Sequence, residues 1–358
     1  MRAAILREIG QDKLEVRDDI ETAGFGPGKV RVRIKATGLC HSDLSAMSGV
    51  LPQRAPLVPG HEGSGEVAEV GEGVTGVKPG DRVIVRWLPS CGSCPACGRG
   101  QPHLCMSGFA NAKAPNFRLG DTGVHGFMGT GTFAEEVVLA EECAVPVPGD
   151  LPYEIAALIG CGVTTGIGAA LNTARVEPGS SVAVIGCGGV GISVIQGARV
   201  AGAAEIVAVD PVESRRTSAL AFGATDAVEP EGLADARNRI TGGEGFDYVF
   251  EAVGRSATAR AAYDAARRGG TVCIVGAGAR DDSVSFSMLE LFLDEKRILP
   301  SLYGGGDVLA SYRRVIRLWR ARRIDLESMI THRVALEEIN EAISRMRAGE
   351  ALRTCIRI

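Results

Sequence analysis

The segment from Ser181 to Asp210 constrains the fold more than any other part of the chain. Residues 182–185 form a short apolar run, which predicts a strand buried on both faces. A G-x-G-x-x-G turn follows at 186–191, then an apolar helical segment at 192–201 and a second buried strand at 205–209 that ends at Asp210. This order of elements predicts the strand–turn–helix–strand unit of a parallel α/β sheet.

The glycine-rich turn predicts a dinucleotide site. Its first glycine permits the tight turn, its second lets the backbone approach a pyrophosphate, and its third lets the helix pack on the strand. Free N–H groups at the helix N-terminus then favour the phosphates. A glycine-rich turn in an unrelated α/β domain is the alternative, but the flanking strands, helix and acid favour the dinucleotide. The turn residues assigned to the cofactor are Gly186, Gly188, Gly189, Val190 and Gly191.

Asp210 favours NAD over NADP. It lies about 20 residues beyond the last glycine of the turn, where an acid binds the adenosine ribose hydroxyls. A carboxylate there would repel a 2′-phosphate. Arg215 and Arg216 follow closely, so Arg215 is included among the cofactor residues and NADP stays a minority interpretation.

Composition excludes several classes of function. A chain of 358 residues exceeds one ordinary core, so two domains are expected. Net charge is −4, which gives no overall field favouring nucleic acid. We expect no membrane association, because no apolar run reaches the length of a membrane span and the N-terminus lacks a signal-peptide pattern. Ten cysteines without a secretion signal indicate thiols and metal ligands, and hence a cytoplasmic protein.

The N-terminal region has a different hydrophobic pattern from the 181–210 segment. Val30, Val32 and Ile34 alternate with charged residues, a period of two that predicts strands with one buried face. Three separate ligand-type residues follow: Cys40, His61 and Cys161. Two thiolates and one imidazole would leave a fourth zinc position for water or substrate. These residues lie too far apart in the sequence for spacing alone to join them in one site. The alternative is that each cysteine is a small buried hydrophobic residue.

A second group of cysteines is stronger evidence for a metal site, because its spacing alone predicts one. Cys91, Cys94, Cys97 and Cys105 form a C-x2-C-x2-C-x7-C pattern, which predicts a closed, tetrahedral, structural zinc site. An iron–sulfur cluster is one alternative. A nucleic-acid-binding zinc ribbon is another, although the local basic residues are few. The remaining cysteines, 143, 187, 273 and 355, are interpreted as packing residues.

Five ordered motifs carry a family resemblance. With GLCHSD, GHEGSGEV, the four-cysteine segment, GCGVTTG and VIGCGGVG, the chain resembles the zinc-dependent medium-chain alcohol dehydrogenases essentially end to end. The resemblance implies an α/β protein with a doubly wound, parallel-sheet Rossmann domain at 163–302. It also implies a β-rich, GroES-like catalytic domain at 1–162 and 303–358, with the active site in the cleft between the domains.

The resemblance also implies roles for single residues. Cys40, His61 and Cys161 become ligands of a catalytic zinc, and Asp43 orients the histidine. Glu62 becomes the acid beside the zinc, Ser42 the alcohol-binding start of a proton relay, and Trp87 and Phe127 part of the substrate pocket. The alternative roles are a helix cap for Asp43, a buried salt bridge from Glu62 to an arginine such as Arg353, and ordinary core packing for the two aromatic residues.

Two departures from the family pattern affect the cofactor and the proton relay. His41 stands where the family often has an arginine that grips the pyrophosphate, so cofactor affinity could depend on pH. Ser45 stands where the relay often ends on a histidine. Because a serine cannot act as a base near neutral pH, the proton is expected to leave through the cofactor ribose and water, or through His41. The remaining residues assigned to the cofactor are His41, Thr165, Val253, Gly254, Val275, Gly276, Ala277 and Arg353.

The function expected is a reversible, zinc-dependent oxidation of primary alcohols to aldehydes, aromatic ones included, with NAD and two zinc ions per chain. A thiol-dependent formaldehyde dehydrogenase acting on a hydroxymethyl thiol adduct is the alternative, and a non-catalytic NAD(H)-binding regulator is the second. The 28-residue step from Cys105 to Phe133 resembles the long loop of dimeric relatives. A homodimer is therefore expected, with a tetramer as the alternative.

Overall fold

The computed structural model describes residues 1–358, with every side chain except those of Phe109 and Asn111. The chain forms two compact units. The first comprises Met1–Gly162 and Leu326–Ile358, and the second comprises Val163–Asp325.

The first unit is built mainly from strands. Its helices are short: His41–Ser48, Pro95–Gly98, Tyr153–Leu158 and Ile339–Arg347. Its strands are Ala3–Ile5, Glu15–Arg17, Ile20–Thr22, Lys29–Leu39, Leu57–Val58, Glu62–Val70, Arg82–Val85, Phe117–Leu119, Thr122–Gly126, Glu136–Ala140, Ala144–Pro146, Ile330–Ala335 and Arg353–Arg357.

One seven-stranded sheet organises this unit. The strand Lys29–Leu39 lies at its centre and buries alternate residues, as the period of two predicts. It pairs antiparallel with Glu62–Val70 on one side and with Arg353–Arg357 and Glu136–Ala140 on the other. The C-terminal strand thus completes a sheet begun near the N-terminus, which explains why the unit is discontinuous in sequence.

The second unit contains one parallel sheet. Its strand order is Asp226–Val228, Glu205–Val209, Ser181–Ile185, Phe246–Glu251, Ala266–Ile274 and Arg297–Pro300. The chain order reverses between Ser181–Ile185 and Phe246–Glu251, the position at which such sheets bind ligands. The helices of this unit are Thr164–Gly168, Gly189–Ala201, Glu213–Ala221, Leu233–Thr241, Ser256–Ala265, Met288–Asp294 and Val308–Arg320.

The C-terminal boundary differs from the prediction that 303–358 belongs to the catalytic domain. Residues 303–325 lie in the second unit. The Asn172 side chain donates to the Gly304 carbonyl at 3.1 Å and accepts from Arg314 at 2.6 Å, and the helix Val308–Arg320 packs on Thr164–Gly168. These long-range contacts have no local signal in the sequence.

One helical segment corrects the expectation that no apolar run could span a membrane. Tyr153–Ala174 has 22 residues and is apolar enough to meet the length and composition of a membrane helix. It includes π-helical turns at Ile159–Val163 and Ala169–Ala174. Because 89% of its apolar window is buried inside the protein, it has the character of a core helix.

Candidate active site and cofactor site

Strand register brings the predicted ligands of the first unit together. Gly38 lies opposite Glu62, and Leu39 lies opposite Thr354. The end of the central strand therefore meets the starts of two neighbouring strands. Cys40, the His61–Glu62 pair and Arg353 consequently converge at one end of the sheet, although 313 positions separate Cys40 from Arg353.

Asp43 ties this convergence into a rigid network. It lies in the first turn of the helix His41–Ser48 and is fully buried. One carboxylate oxygen accepts from the Cys40 N–H at 2.9 Å. The other accepts from the Gly60 N–H at 2.9 Å and contacts His61 Nδ1 at 3.2 Å. One side chain therefore caps the helix and orients the histidine, so both interpretations made from the sequence describe the same residue.

His61 presents a bare nitrogen to its surroundings. With Nδ1 directed at Asp43, the buried Nε2 has no hydrogen-bond partner among the described residues. Burial acts against a charged ring. The carboxylate of Asp43 and the sulfur of Cys40 outweigh it and raise the pKa of His61 to about 10. A buried imidazole nitrogen without a partner is costly in a finished core. With this raised pKa the ring is protonated in the metal-free protein, so a cation that binds Nε2 would displace that proton.

The sulfur of Cys40 lies beside that nitrogen. A ligand atom of Cys40, one of His61 and one of Glu62 all lie within 4.8 Å of one another. A hydrogen bond with Cys161 is the main cause that holds the pKa of the Cys40 thiol well below its ordinary value; burial opposes it, and His61 and Arg353 add to the lowering. Two thiols and an imidazole thus meet in a buried, cation-favouring site.

Glu62 is held away from free rotation by two groups. Its carboxylate forms a buried ion pair with Arg353 and accepts from the Gly162 N–H at 3.1 Å. The sequence predicts a cofactor contact for Arg353, but in the structure Arg353 forms an ion pair with Glu62. This ion pair is the alternative role given above for Glu62. The pair neutralises a carboxylate next to the thiols, which would otherwise raise their pKa.

Aromatic rings form one wall of this site. The ring of Phe127 meets His61 edge-to-face with centroids 5.1 Å apart, and that of Trp87 does so at 6.4 Å. Both aromatic side chains are buried. The half-buried Ser42 hydroxyl lies 3.7 Å from the sulfur of Cys40. A hydroxyl and two apolar rings therefore adjoin the same cluster.

The four-cysteine segment forms a separate cluster. The sulfurs of Cys94 and Cys97 are 3.5 Å apart, those of Cys91 and Cys105 3.6 Å, and those of Cys94 and Cys105 3.8 Å. A tetrahedral zinc with bonds of about 2.3 Å separates its sulfurs by about 3.8 Å. The spacing fits a single ion and leaves no volume for the iron–sulfur cluster considered from the sequence. Hydrogen bonds from the backbone and side chain of Ser93 and the backbone of Cys94 lower the pKa of the Cys91 thiol to about 5.

The glycine-rich turn of the second unit has the geometry that a dinucleotide requires. Gly186 has φ of +91°, and a Cβ on Gly191 would lie 1.8 Å from the Gly186 carbonyl oxygen. A Cβ on Gly188 would meet nothing within 4 Å. Backbone conformation and packing therefore explain Gly186 and Gly191. Gly188 instead leaves space in front of the N-terminus of the helix Gly189–Ala201, where Val190 lies in the first turn.

Asp210 is bound to the same turn. Its carboxylate accepts from the Cys187 N–H at 2.8 Å and from the Val212 N–H at 2.9 Å, and it is nearly fully buried. Arg215 lies 3.8 Å from it. Arg216 is engaged elsewhere, donating to the Asp210 carbonyl and pairing with Glu229. Of the two arginines that kept NADP in consideration, only Arg215 contacts the carboxylate.

The remaining cofactor candidates lie at strand ends and helix starts. Val253 and Gly254 follow the strand Phe246–Glu251, while Val275, Gly276 and Ala277 follow Ala266–Ile274. These two turns pack backbone to backbone. His41 is exposed in the first turn of the helix His41–Ser48, and Thr165 is half-buried in the helix Thr164–Gly168.

Sequence reasoning missed one residue at this edge, the fully buried Glu251. One oxygen of its carboxylate accepts from the N–H groups of Val253 and Gly254 and from the Thr258 hydroxyl. An acid that follows the buried run Val249–Phe250, just before a glycine turn, was the available signal.

Two family models and a curated relative identify the family of this chain. The model of the alcohol dehydrogenase GroES-like domain matches residues 26–149, and that of the zinc-binding dehydrogenase domain matches residues 189–320. A Mycobacterium tuberculosis protein with the provisional name alcohol dehydrogenase D is 38% identical over 99% of this chain and 98% of its own length. The chain belongs to the zinc-dependent medium-chain alcohol dehydrogenase family.

Solved structures of this family superpose on the whole chain. Benzyl alcohol dehydrogenase from Acinetobacter calcoaceticus is 31% identical with a TM-score of 0.92, covering 100% of this chain and 99% of its own. A provisionally named zinc-binding dehydrogenase from Sinorhizobium meliloti 1021, bound to NADP, is 28% identical with a TM-score of 0.83, covering 100% and 99%. The protein is therefore an oxidoreductase with a GroES-like domain and a Rossmann-type domain.

Proposed function

We propose that this dehydrogenase oxidises primary alcohols, aromatic ones included, to aldehydes with NAD, and reduces them in reverse. The observation that carries the proposal is the buried Nε2 of His61, bare of partners among the described residues and adjacent to the sulfur of Cys40. That donor set, with the Cys161 thiol hydrogen-bonded to Cys40, suits a zinc ion with one position left for substrate.

The catalytic zinc would be held by Cys40, His61 and Cys161. When bound, zinc supplies Lewis acidity that lowers the pKa of an alcohol hydroxyl into the neutral range. The Ser42 hydroxyl would accept the alcohol proton while it passes its own proton outward to solvent, since it is the half-buried polar group beside the ligands. Asp43 keeps the histidine in the tautomer that presents Nε2. Glu62 also has a carboxylate oxygen near Cys40 and His61, and its ion pair with Arg353 would keep it from replacing Cys161 as a ligand.

The cofactor would be held by the glycine-rich turn and Asp210. NAD, when bound, supplies the acceptor for the hydride lost from the carbinol carbon. Gly188 would leave room for the pyrophosphate, and the carboxylate of Asp210, which is hydrogen-bonded to the same turn, would bind the adenosine ribose. Negative charge there disfavours the extra phosphate of NADP. Arg215 weakens this preference because it partly neutralises the carboxylate.

A second zinc would occupy the four-cysteine cluster in a structural role. All four sulfurs lie within 4.8 Å of one another, so the ion would be fully coordinated by protein. It would fix the segment between Cys91 and Cys105, which has little regular structure to hold it: one four-residue helix and one short helical turn.

The apolar wall favours aromatic substrates. Trp87 and Phe127 present ring surfaces beside His61, and such surfaces bind a benzyl group through stacking and burial. The Acinetobacter relative named benzyl alcohol dehydrogenase agrees with this preference.

A homodimer is the proposed assembly. The strand Arg297–Pro300 is at the edge of the parallel sheet and pairs on one side only within the described chain. Exposed apolar side chains surround it, including Ile298, Leu302, Leu293 and Phe292. A bare apolar edge is a template for a second copy. Light scattering should give twice the chain mass of 37.3 kDa; a fourfold mass would favour the tetramer.

We also propose a cytoplasmic location, because all ten cysteines are free and thiols stay reduced in the cytosol.

Absorbance at 340 nm tests the proposed reaction. The assay measures NADH formation from NAD with benzyl alcohol, ethanol, a secondary alcohol, and formaldehyde with and without low-molecular-weight thiols. Turnover of benzyl alcohol without thiol is expected. Activity only with formaldehyde plus thiol would transfer the function to the thiol-dependent alternative. NADH binding without turnover of any of these substrates would favour the regulator.

A further inference from the structure

Glu251 lies at the reversal point of the parallel sheet. It is the last residue of the strand Phe246–Glu251, and it pairs with Ile185, the residue directly before the glycine-rich turn. It also pairs with Ile274 on its other side. Its position is therefore central to the edge where dinucleotides bind.

The side chain of Glu251 fixes the turn that follows it. Oε1 accepts from the Val253 N–H at 2.8 Å, the Gly254 N–H at 2.7 Å and the Thr258 hydroxyl at 2.7 Å. Hydrogen bonds to a charged acceptor are stronger than neutral ones. No other carboxylate in the second unit is as fully buried.

The main chain of Glu251 fixes a second turn. Its carbonyl oxygen accepts from the Val275 N–H at 2.8 Å and the Gly276 N–H at 3.0 Å. A Cβ on Gly276 would lie 2.1 Å from the Gly254 nitrogen. Movement of one turn therefore forces movement of the other.

The first of these turns also abuts the glycine-rich turn. The Ala252 N–H donates to the Ile185 carbonyl at 2.9 Å, and a Cβ on Gly186 would lie 2.6 Å from a methyl of Val253. Val253 is 44% exposed, so its outer side is available to a ligand. Three turns that are proposed to contact the cofactor thus pack against one another around Glu251.

We propose that Glu251 is a positioning residue for the dinucleotide. It does not contact the ligand; it holds the 252–254 turn and, through it, the 275–277 turn at the spacing that the cofactor fits. The inference rests on the proposed use of a nicotinamide cofactor. A purely structural role would lower stability without changing cofactor affinity selectively.

The same strand offers a matched control. Asp247 lies near its opposite end and accepts from the Ser181 N–H at 2.8 Å and from Arg267 at 2.7 Å. It therefore also satisfies a backbone N–H and a side chain, but at the sheet edge away from the glycine-rich turn. Asp247→Ala should destabilise the unit without affecting the cofactor.

Fluorescence titration with NADH tests the proposal without requiring turnover. Glu251→Met, which keeps the volume but removes the acceptor, should weaken NADH binding about tenfold, equivalent to about 1.4 kcal/mol. Glu251→Gln, which keeps an acceptor oxygen, should remain within about threefold of wild type, and Asp247→Ala should be unchanged.

Three results would overturn the inference: unchanged affinity in Glu251→Met, equal weakening in Asp247→Ala, or no recovery in Glu251→Gln. If Glu251→Met does not fold, Thr258→Val removes one of the donors that orient the carboxylate. That variant should weaken binding about threefold, and an unchanged Kd would equally overturn the inference. Failure of the wild-type protein to bind NADH would instead refute the proposed function.

Discussion

Replacing Asp43 with asparagine tests the most tightly connected residue of the site. The carboxylate has three polar neighbours: the Cys40 N–H and the Gly60 N–H, each at 2.9 Å, and His61 Nδ1 at 3.2 Å. Asparagine has nearly the same shape but only one acceptor oxygen. In either orientation its amide NH2 faces at least one of these donors, and the substitution also removes the charge that favours the Nδ1–H tautomer of His61.

The expected cost follows from this count. With the amide oxygen toward Gly60 and His61, one charge-assisted bond to Cys40 is lost, which is worth about 1.5–3 kcal/mol in a buried site. Because Cys40 and His61 are both proposed ligands, part of that energy should appear as weaker zinc binding. Loss of a partner that orients a metal ligand typically lowers affinity about 10–100-fold, or about 1.4–2.7 kcal/mol. The two estimates overlap.

Competition with a chromophoric zinc chelator measures the effect. The catalytic zinc of Asp43→Asn should transfer to the chelator at about 10–100-fold lower chelator activity than in wild type. The four-cysteine zinc is the internal control and should transfer unchanged, while NADH affinity reports an intact second unit. Equal zinc affinity and equal turnover in the variant would refute the role assigned to Asp43.

Three further predictions concern other residues. Ser42→Ala should lower kcat about 100-fold or more, because it removes the proposed proton acceptor, and it should leave NADH affinity unchanged. Stopped-flow kinetics measures the first and an NADH titration the second; normal turnover would contradict the role of Ser42. Asp210→Ala should raise the preference for NADP relative to NAD about tenfold or more, and an unchanged ratio of kcat/KM values would remove Asp210 from cofactor selection. Burial alone would raise the pKa of Asp247, but hydrogen bonds from Ser181 and Arg267 lower it below its ordinary value. Its stabilisation is thus present above about pH 4 and lost as the pH falls through the lowered value; the Tm deficit of Asp247→Asn should shrink over that acidic range, and a constant deficit would contradict the assignment.

Local patterns predicted the second unit well. The apolar runs at 182–185 and 205–209 correspond to the strands Ser181–Ile185 and Glu205–Val209. A buried parallel strand leaves a continuous apolar run, and its turn requires glycine, so both features are written in adjacent residues. The alternation around Val30–Ile34 likewise corresponds to the strand Lys29–Leu39.

Contacts between distant residues were harder to anticipate. The end of the second unit at Asp325 depends on Asn172 bonding to Gly304 and Arg314, which no local pattern indicates. Arg353 was assigned to the cofactor, yet in the structure it pairs with Glu62 because strand register brings the two together.

Spacing also could not join the proposed ligands of the catalytic zinc. In the sequence, only the family resemblance links Cys40, His61 and Cys161. In the structure the central strand carries Cys40 to the start of the neighbouring strand that follows His61, and Asp43 fixes both. Strand pairing therefore brings Cys40 and His61 together, while Cys161 comes from the helical segment Ile159–Val163.

The zinc content of the purified protein tests the central claim most directly. Mass spectrometry of metals should find about two zinc ions per chain in the wild type and about one in His61→Ala. The single ion retained by His61→Ala should be lost when Cys105→Ser is added. One ion or none in the wild type, or two in His61→Ala, would contradict the assignment of a catalytic zinc to Cys40, His61 and Cys161.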